Sequence, residues 1–145
     1  MYKRVLVPLD GSKIAESALE HLKAVAIGCR VPETVLLTAI EPVQTGRPYG
    51  TSDEWLLDIQ KKARKIAEDY INEIAQKLGK EGIKAKTVIV QARPADAILD
   101  YATDNGVDLV IMSTHGRSGI SRWTFGSVAD KVIRYSTVPV LIIRP

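Results

Sequence analysis

The stretch that decides the fold is Val5-Leu6-Val7-Pro8-Leu9, which stops at Asp10-Gly11-Ser12. A short run without polar residues is typical of a central strand that helices cover on both faces. The hydroxyl of Ser12 is placed to cap the next segment, in which alanine and leucine recur at helical spacing. The run therefore predicts the first strand of a parallel sheet, followed directly by a helix.

The rest of the chain repeats this alternation. Further strands are predicted over residues 34–40, 84–91, 108–112 and 138–143, and further helices over 52–78, 94–105 and from 126 onward. The longest helix carries an apolar stripe from Leu56 to Leu78. Lys86 and Gln91 interrupt the apolar pattern of the third strand, which indicates an edge position.

This order of elements predicts a doubly wound α/β fold. We expect one parallel sheet of five strands in the order 3-2-1-4-5, with helices on both faces. No repeat or linker divides the 145 residues, so we predict a single domain over 1–145. Such sheets bind ligands outside the carboxyl ends of the strands, where the winding reverses. Here those ends are Pro8-Leu9-Asp10 and Met112-Ser113-Thr114.

The turn after the fourth strand is rich in glycine and hydroxyl groups. It reads Ser113-Thr114-His115-Gly116-Arg117-Ser118-Gly119, and Phe125-Gly126-Ser127-Val128 follows at the start of the last helix. Glycine lets the backbone approach a ligand, and the N–H groups of a helix start attract an anion. The turn therefore predicts a phosphate cradle, with a plain glycine-rich surface loop as the alternative. The P-loop and dinucleotide fingerprints are both absent.

The spacing Gly116-x9-Gly126-Ser127 resembles the G-x-x-G-x9-G-[ST] pattern of the ATP-binding branch of the universal stress proteins. The resemblance extends from the opening strand and turn, residues 3–12, to the last strand. One position departs from the pattern, because Ser113 stands where its first glycine is expected and serine disfavours a positive φ. The resemblance implies an adenine nucleotide alpha hydrolase-like fold that binds ATP, ADP or AMP, with Mg²⁺ carried by the phosphates.

The resemblance also implies which residues contact the nucleotide. Pro8 and Asp10 would lie beside the adenosine, Ala39 would line the adenine slot, and Met112 and Ser113 would contact base and ribose. From the residues alone, Asp10 could instead be a simple helix cap. The phosphates would be held by His115, Gly116, Arg117, Gly119, Gly126, Ser127 and Val128.

The sequence favours a binding and regulatory protein over an efficient enzyme. No acid–base pair accompanies the cradle, so any ATPase activity would be slow. Adenylyl transferases and ATP pyrophosphatases need H-x-G-H or S-G-G-x-D-S signatures, and a receiver domain needs an aspartate where Gln91-Ala92-Arg93 stands; none is present. A universal stress domain that binds no nucleotide and acts through protein contacts stays open because of Ser113.

Composition and the last strand bear on location and partners. The net charge of +3, from 20 basic and 17 acidic residues, is too small and too scattered to favour nucleic acid. No apolar run approaches the ~20 residues of a membrane span, and no secretory signal is evident, so we predict a cytoplasmic protein without a membrane partner. The segment Val138-Pro139-Val140-Leu141-Ile142-Ile143 is apolar yet predicted at an edge, which favours pairing with its twin in a two-fold homodimer.

Overall fold

The computed structural model describes residues 1–43, 53–115 and 126–145, and these form a five-stranded parallel sheet in the predicted order β3-β2-β1-β4-β5. The first predicted helix is divided in two at Ser17, and the last strand begins at Val140 rather than at residue 138. The elements are β1 (Arg4–Pro8), α1 (Lys13–Glu16), α2 (Ala18–Gly28), β2 (Glu33–Ile40), α3 (Asp53–Lys80), β3 (Ala85–Gln91), α4 (Pro94–Asp104), β4 (Leu109–Ser113), α5 (Ser127–Tyr135) and β5 (Val140–Ile143).

Both faces of the sheet are covered, as the apolar first strand predicts. Val5 and Val7 pack into a core with residues of α1, α2 and α3, whereas Leu6 packs on the opposite face with residues of α4 and α5. All three side chains are inaccessible to solvent. The alternation of side chains along a strand therefore divides one central strand between two cores.

Helix α3 is much longer than the sheet that it covers. Its 28 residues span about 42 Å, whereas the eight residues of β2 span about 26 Å. Only Ile71, Ile74 and Leu78 are buried, all in the half nearer the carboxyl end of the helix. The apolar stripe predicted from Leu56 to Leu78 is therefore buried only in the second half of the helix, and in the first half Ile66 is 71% exposed.

The two outer strands are β3 and β5. The predicted edge position of β3 is confirmed, and β5 pairs with β4 on one side only among the described residues. No helix in the described parts of the chain has the length and apolar character needed to cross a membrane.

Candidate ligand-binding site

A cavity of about 590 Å³ lies over the carboxyl ends of β1, β2 and β4. Its volume falls in the range of roughly 300–1,000 Å³ that small-molecule sites occupy. Of the predicted site residues, Gly116, Arg117 and Gly119 lie outside the described residues. All the others line this one cavity: Pro8, Asp10, Ala39, Met112, Ser113, His115, Gly126, Ser127 and Val128.

The turn after β1 holds Asp10 against the cavity. Ser12 caps α1, as predicted, because its Oγ accepts a hydrogen bond from the Ala15 N–H at 3.1 Å. Asp10 Oδ1 in turn accepts hydrogen bonds from the Ser12 N–H at 2.9 Å and from the Ser12 hydroxyl at 2.6 Å. Asp10 is therefore not the cap itself; it lines the cavity and accepts hydrogen bonds from the residue that caps the helix.

Ser113 occupies its position without backbone strain. It is the last residue of β4, is buried, and pairs in register with Ile143 of β5. Among the described non-glycine residues, only Arg30 and His115 have a positive φ, so Ser113 has the ordinary backbone of a strand. The departure from the family pattern at Ser113 therefore introduces no backbone strain, because β4 extends through this position.

His115 and Gly126 bring the end of β4 beside the start of α5. His115 is left-handed, with φ of 58°, a conformation that histidine adopts more readily than most residues. Gly126 has φ of 73° and ψ of 152°, a region almost reserved for glycine. A Cβ on Gly126 would lie 3.4 Å from the backbone nitrogen of His115. The backbone conformation therefore requires glycine here, whereas the added Cβ would make only an ordinary van der Waals contact.

The first turn of α5 points backbone donors at the cavity. The first intrahelical bond runs from the Asp130 N–H to the Gly126 carbonyl at 2.9 Å, and no side chain of the N-cap residue bonds the helix. The N–H groups of Ser127, Val128 and Ala129 therefore have no partner within the helix, and all three residues line the cavity. Such a helix start favours an anion through its donors and its dipole.

Helix α3 forms a wall of the cavity that the sequence did not reveal. Its contribution consists of Ala63, Ile66, Ala67 and Tyr70. The sequence places these residues in the packing stripe of α3, and the change from large to small side chains along that stripe is the signal that could have found the wall. These residues of α3 therefore line the cavity, and Tyr70 also packs against the core beneath the helix.

Tyr70 connects this wall to α1. Its hydroxyl donates a hydrogen bond to Glu16 Oε1 at 3.1 Å. Burial raises the pKa of Tyr70 well above its usual range, and the charge of Glu16 and the hydrogen bond to it raise it further. Tyr70 is therefore a protonated donor at neutral pH.

The raised pKa of Tyr70 makes a prediction for alkaline solution. In the unfolded chain this hydroxyl ionises near pH 10, whereas in the folded protein it stays protonated. The contribution of the Tyr70 hydroxyl to stability is therefore complete below about pH 10, and it declines as the pH rises toward the pKa of Tyr70 in the folded protein. The unfolding free energy of the wild type should fall more steeply above about pH 10 than that of Tyr70→Phe, measured by urea unfolding.

The exposed Tyr135 on α5 supplies the control for that measurement. Tyr135→Phe should keep the pH dependence of the wild type. If the unfolding free energies of the wild type and Tyr70→Phe fell in parallel above about pH 10, the raised pKa of Tyr70 would be contradicted.

The fold and the cavity together define an open, doubly wound α/β domain with a ligand cleft at its switch point. The sequence pattern of the universal stress protein family matches residues 1–144. The chain belongs to that family.

Relatives align over nearly the full chain. Universal stress protein MJ0577 of Methanocaldococcus jannaschii is 31% identical, with 99% of this chain and 96% of that protein covered. Universal stress protein YxiE of Bacillus subtilis is 32% identical, with coverages of 99% and 100%. The solved structure of MJ0577 superposes with a TM-score of 0.86 at 34% identity, covering 100% of this chain and 97% of that one.

Two more distant structures share the fold and contain a nucleotide. One is a universal stress protein in complex with cAMP, with a TM-score of 0.68 at 24% identity and coverages of 99% and 97%. The other is a universal stress protein family protein of Arabidopsis thaliana with AMP bound, with a TM-score of 0.66 at 16% identity and coverages of 98% and 91%.

Proposed function

We propose that this chain binds an adenine nucleotide, ATP or else ADP or AMP, and acts as a nucleotide-dependent stress or regulatory dimer in the cytoplasm. The observation that carries the proposal is the convergence of the described predicted contacts on one cavity, which reaches the first turn of α5. The cAMP- and AMP-bound relatives support the same class of ligand.

Different parts of the cavity wall suit the base, the ribose and the phosphates of a nucleotide. Pro8, Ala39 and Met112 offer apolar surface for a base, and the Asp10 carboxylate offers an acceptor for ribose hydroxyls. The N–H groups that start α5 suit phosphate oxygens. Mg²⁺ would arrive on the phosphates, which it usually accompanies in nucleotide sites.

Calorimetry tests the proposal directly. We expect saturable binding whose affinity rises from AMP to ADP to ATP, because each added phosphate brings more negative charge to the start of α5. The titrations should be run with and without Mg²⁺, and a thermal-shift series should rank the nucleotides in the same order. No heat and no shift in the melting temperature at millimolar ATP would end the proposal.

The alternative of a universal stress domain that binds no nucleotide depended on Ser113. Because Ser113 adopts an unstrained strand conformation, its side chain does not prevent the backbone from following the path that a ligand contact needs. This observation supports nucleotide binding over the alternative.

The proposed dimer uses the outer edge of β5. An edge strand presents unpaired backbone donors and acceptors, and Leu141 on this strand is 36% exposed. We expect residues 138–143 to pair with their twin about a two-fold axis. Light scattering at micromolar concentration should then give twice the 15.9 kDa of one chain.

Leu141→Lys should convert this dimer to a monomer, because an edge lysine opposes strand pairing. Leu57→Lys, at a leucine of α3 that is 54% exposed, should leave the dimer intact. A wild type that scatters as a clean monomer would refute the pairing.

A further inference from the structure

The sheet has a second free edge, on β3, that the proposed dimer does not use. Among the described residues β3 pairs with β2 on one side only, and its seven residues make it longer than the four-residue β5. Seven residues span about 23 Å, which is the length of a typical strand. The edge of β3 can therefore pair with a whole added strand, and neither nucleotide binding nor the dimer gives it a role.

Alternate residues of β3 turn their backbone groups away from the sheet. The Ala92 N–H donates to the Ile40 carbonyl at 3.1 Å, and the register between β2 and β3 continues this pairing back along the strand. The N–H and C=O groups that consequently point outward belong to Ala85, Thr87, Ile89 and Gln91. These groups have no hydrogen-bond partner among the described residues. The same pattern leaves two such residues within β5, Val140 and Ile142.

Lysines without a partner lie at the amino end of this edge. Lys80 ends α3, Lys84 precedes β3, and Lys86 is the second residue of the strand. All three are exposed, and they form no ion pair with another residue in the described parts of the chain. Glu81 lies between them in sequence but is bonded to Lys23 at 2.9 Å. The surface beside this end of β3 therefore attracts acidic groups.

The side chains on one face of β3 change in character along the strand. Val88 and Val90 are half-buried on the face that α4 covers. Lys86 lies on the same face, because alternate residues of a strand share a face. A strand added at this edge would meet lysine at the amino end of β3 and valine toward the carboxyl end.

The positive charge opposes pairing of β3 with a second copy of the chain. Two copies joined along β3 would bring Lys84 and Lys86 of both chains to one ladder, and like charges across a ladder are unfavourable. The strand β5 differs, because Val140 to Ile143 carry no charged side chain. An acidic strand would replace the repulsion at β3 with attraction.

We propose that β3 binds an acidic segment of another protein as a sixth, antiparallel strand of the sheet. Hydrogen bonds to the outward backbone groups of β3 supply affinity, and alternate side chains supply specificity. Antiparallel pairing is the more stable arrangement per residue. It places apolar residues of the segment opposite Val88 and Val90 and acidic residues opposite Lys86 and Lys84. The partner is thus an extended segment whose alternate residues change from apolar to acidic toward its carboxyl end.

A capped peptide, Val-Thr-Val-Thr-Glu-Thr-Glu, carrying a neutral fluorophore is the probe for this site. Fluorescence anisotropy at low salt should give a dissociation constant on the order of 100 μM, which should rise as salt screens the charges. The peptide Val-Thr-Val-Thr-Lys-Thr-Lys should bind at least about tenfold more weakly. Equal binding of the two peptides, or no binding of the acidic peptide at about 1 mM, would overturn the proposal.

Methylation of the peptide backbone separates strand pairing from charge attraction. In the antiparallel register the N–H groups of the threonines face β3, and those of the valines and glutamates face away. N-methylation of the last two threonines should abolish binding. N-methylation of the second valine and the first glutamate should keep the affinity within about threefold. Equal effects of the two modifications would contradict strand addition.

Charge reversal on the protein supplies the reciprocal test. Lys86→Glu should weaken the acidic peptide at least about tenfold and strengthen the lysine peptide, because the charges across the ladder are exchanged. Lys61→Glu is the matched control, since Lys61 is exposed, forms no ion pair with another described residue and lies in the half of α3 that buries no residue. It should bind both peptides as the wild type does. Equal affinities in the two variants would remove Lys86 from the interface.

Amide hydrogen exchange locates the added strand. The outward N–H groups of Thr87 and Ile89 should exchange quickly in the free protein and slowly when the acidic peptide is bound. The N–H groups of Val88 and Val90 point toward β2 and should change little. Slowed exchange confined to β5 would overturn the proposal. A dimer that Thr87→Pro dissociates and Leu141→Lys does not would assign β3 to a second copy instead.

Discussion

Ser127→Asp should raise the dissociation constant for ATP by about 100-fold while the domain stays folded. Ser127 is exposed and is the first residue of α5, at the wall of the cavity. A carboxylate there would repel the phosphates, and like charges in contact cost several kcal/mol. A loss of about 2.7 kcal/mol of binding free energy is enough to raise the dissociation constant 100-fold. An acidic residue in the first turn of a helix is itself favourable, so stability should not fall.

Two variants serve as controls for this experiment. Ser127→Asn has a similar shape without the charge and should lose much less affinity. Gln76→Glu makes the same change in net charge on an exposed position of α3 that does not line the cavity, and it should bind ATP as the wild type does. A folded Ser127→Asp that retained wild-type affinity would remove α5 from the phosphate site.

Gly126→Ala should lower both stability and nucleotide affinity. Its φ of 73° and ψ of 152° disfavour any side chain, which costs on the order of 1–3 kcal/mol. The new methyl group would lie 3.4 Å from the His115 backbone nitrogen, in van der Waals contact, so relief of the backbone strain is what would shift the junction of β4 and α5. We expect a lower urea midpoint and, by calorimetry, weaker ATP binding in the fraction that remains folded.

Gly82 offers a matched control. It has a similar φ of 83°, but no atom lies within 4 Å of the position that a Cβ would take, and it does not line the cavity. Gly82→Ala should lose stability through its backbone conformation and bind ATP normally. Equal affinity in Gly126→Ala and Gly82→Ala would show that the His115–Gly126 contact does not support the site.

The sequence predicts the sheet well because its central strands carry an unambiguous signal. Val5, Leu6 and Val7 are apolar in succession, which is typical of a strand covered on both faces, and all three are buried. Pro94 likewise fixes the start of α4, where a missing N–H is harmless. Alternating strands and helices then leave few topologies, and handedness selects among them.

The site was predictable in part, for a similar reason. A switch point depends on strand order alone, so the ends of β1 and β4 could be identified before any contact was known. The role of α3 could not, because periodicity shows which residues share a face but not how far a helix extends beyond its sheet. Ala63, Ala67 and Tyr70 consequently line the cavity, and Tyr70 also packs against the core between α3 and the sheet.

The conformations and hydrogen bonds of single residues depend on local backbone geometry, which the periodicity of the sequence does not encode. The strand conformation of Ser113 follows from where β4 ends, and the bracing of Ser12 by Asp10 follows from the shape of one turn. The contributions of Gly116, Arg117 and Gly119 remain predictions, because these residues lie outside the described parts of the chain.

A titration of the isotopically labelled protein with ATP, followed by backbone amide NMR, tests the central claim most directly. The account predicts saturable shifts for amides around the cavity, including Asp10, Ala39, Ser127 and Val128. Signals at the opposite end of the strands, for example that of Gly82 just before β3, should not change. Shifts confined to the amino ends of the strands, or no shifts at millimolar ATP, would contradict nucleotide binding in the cavity.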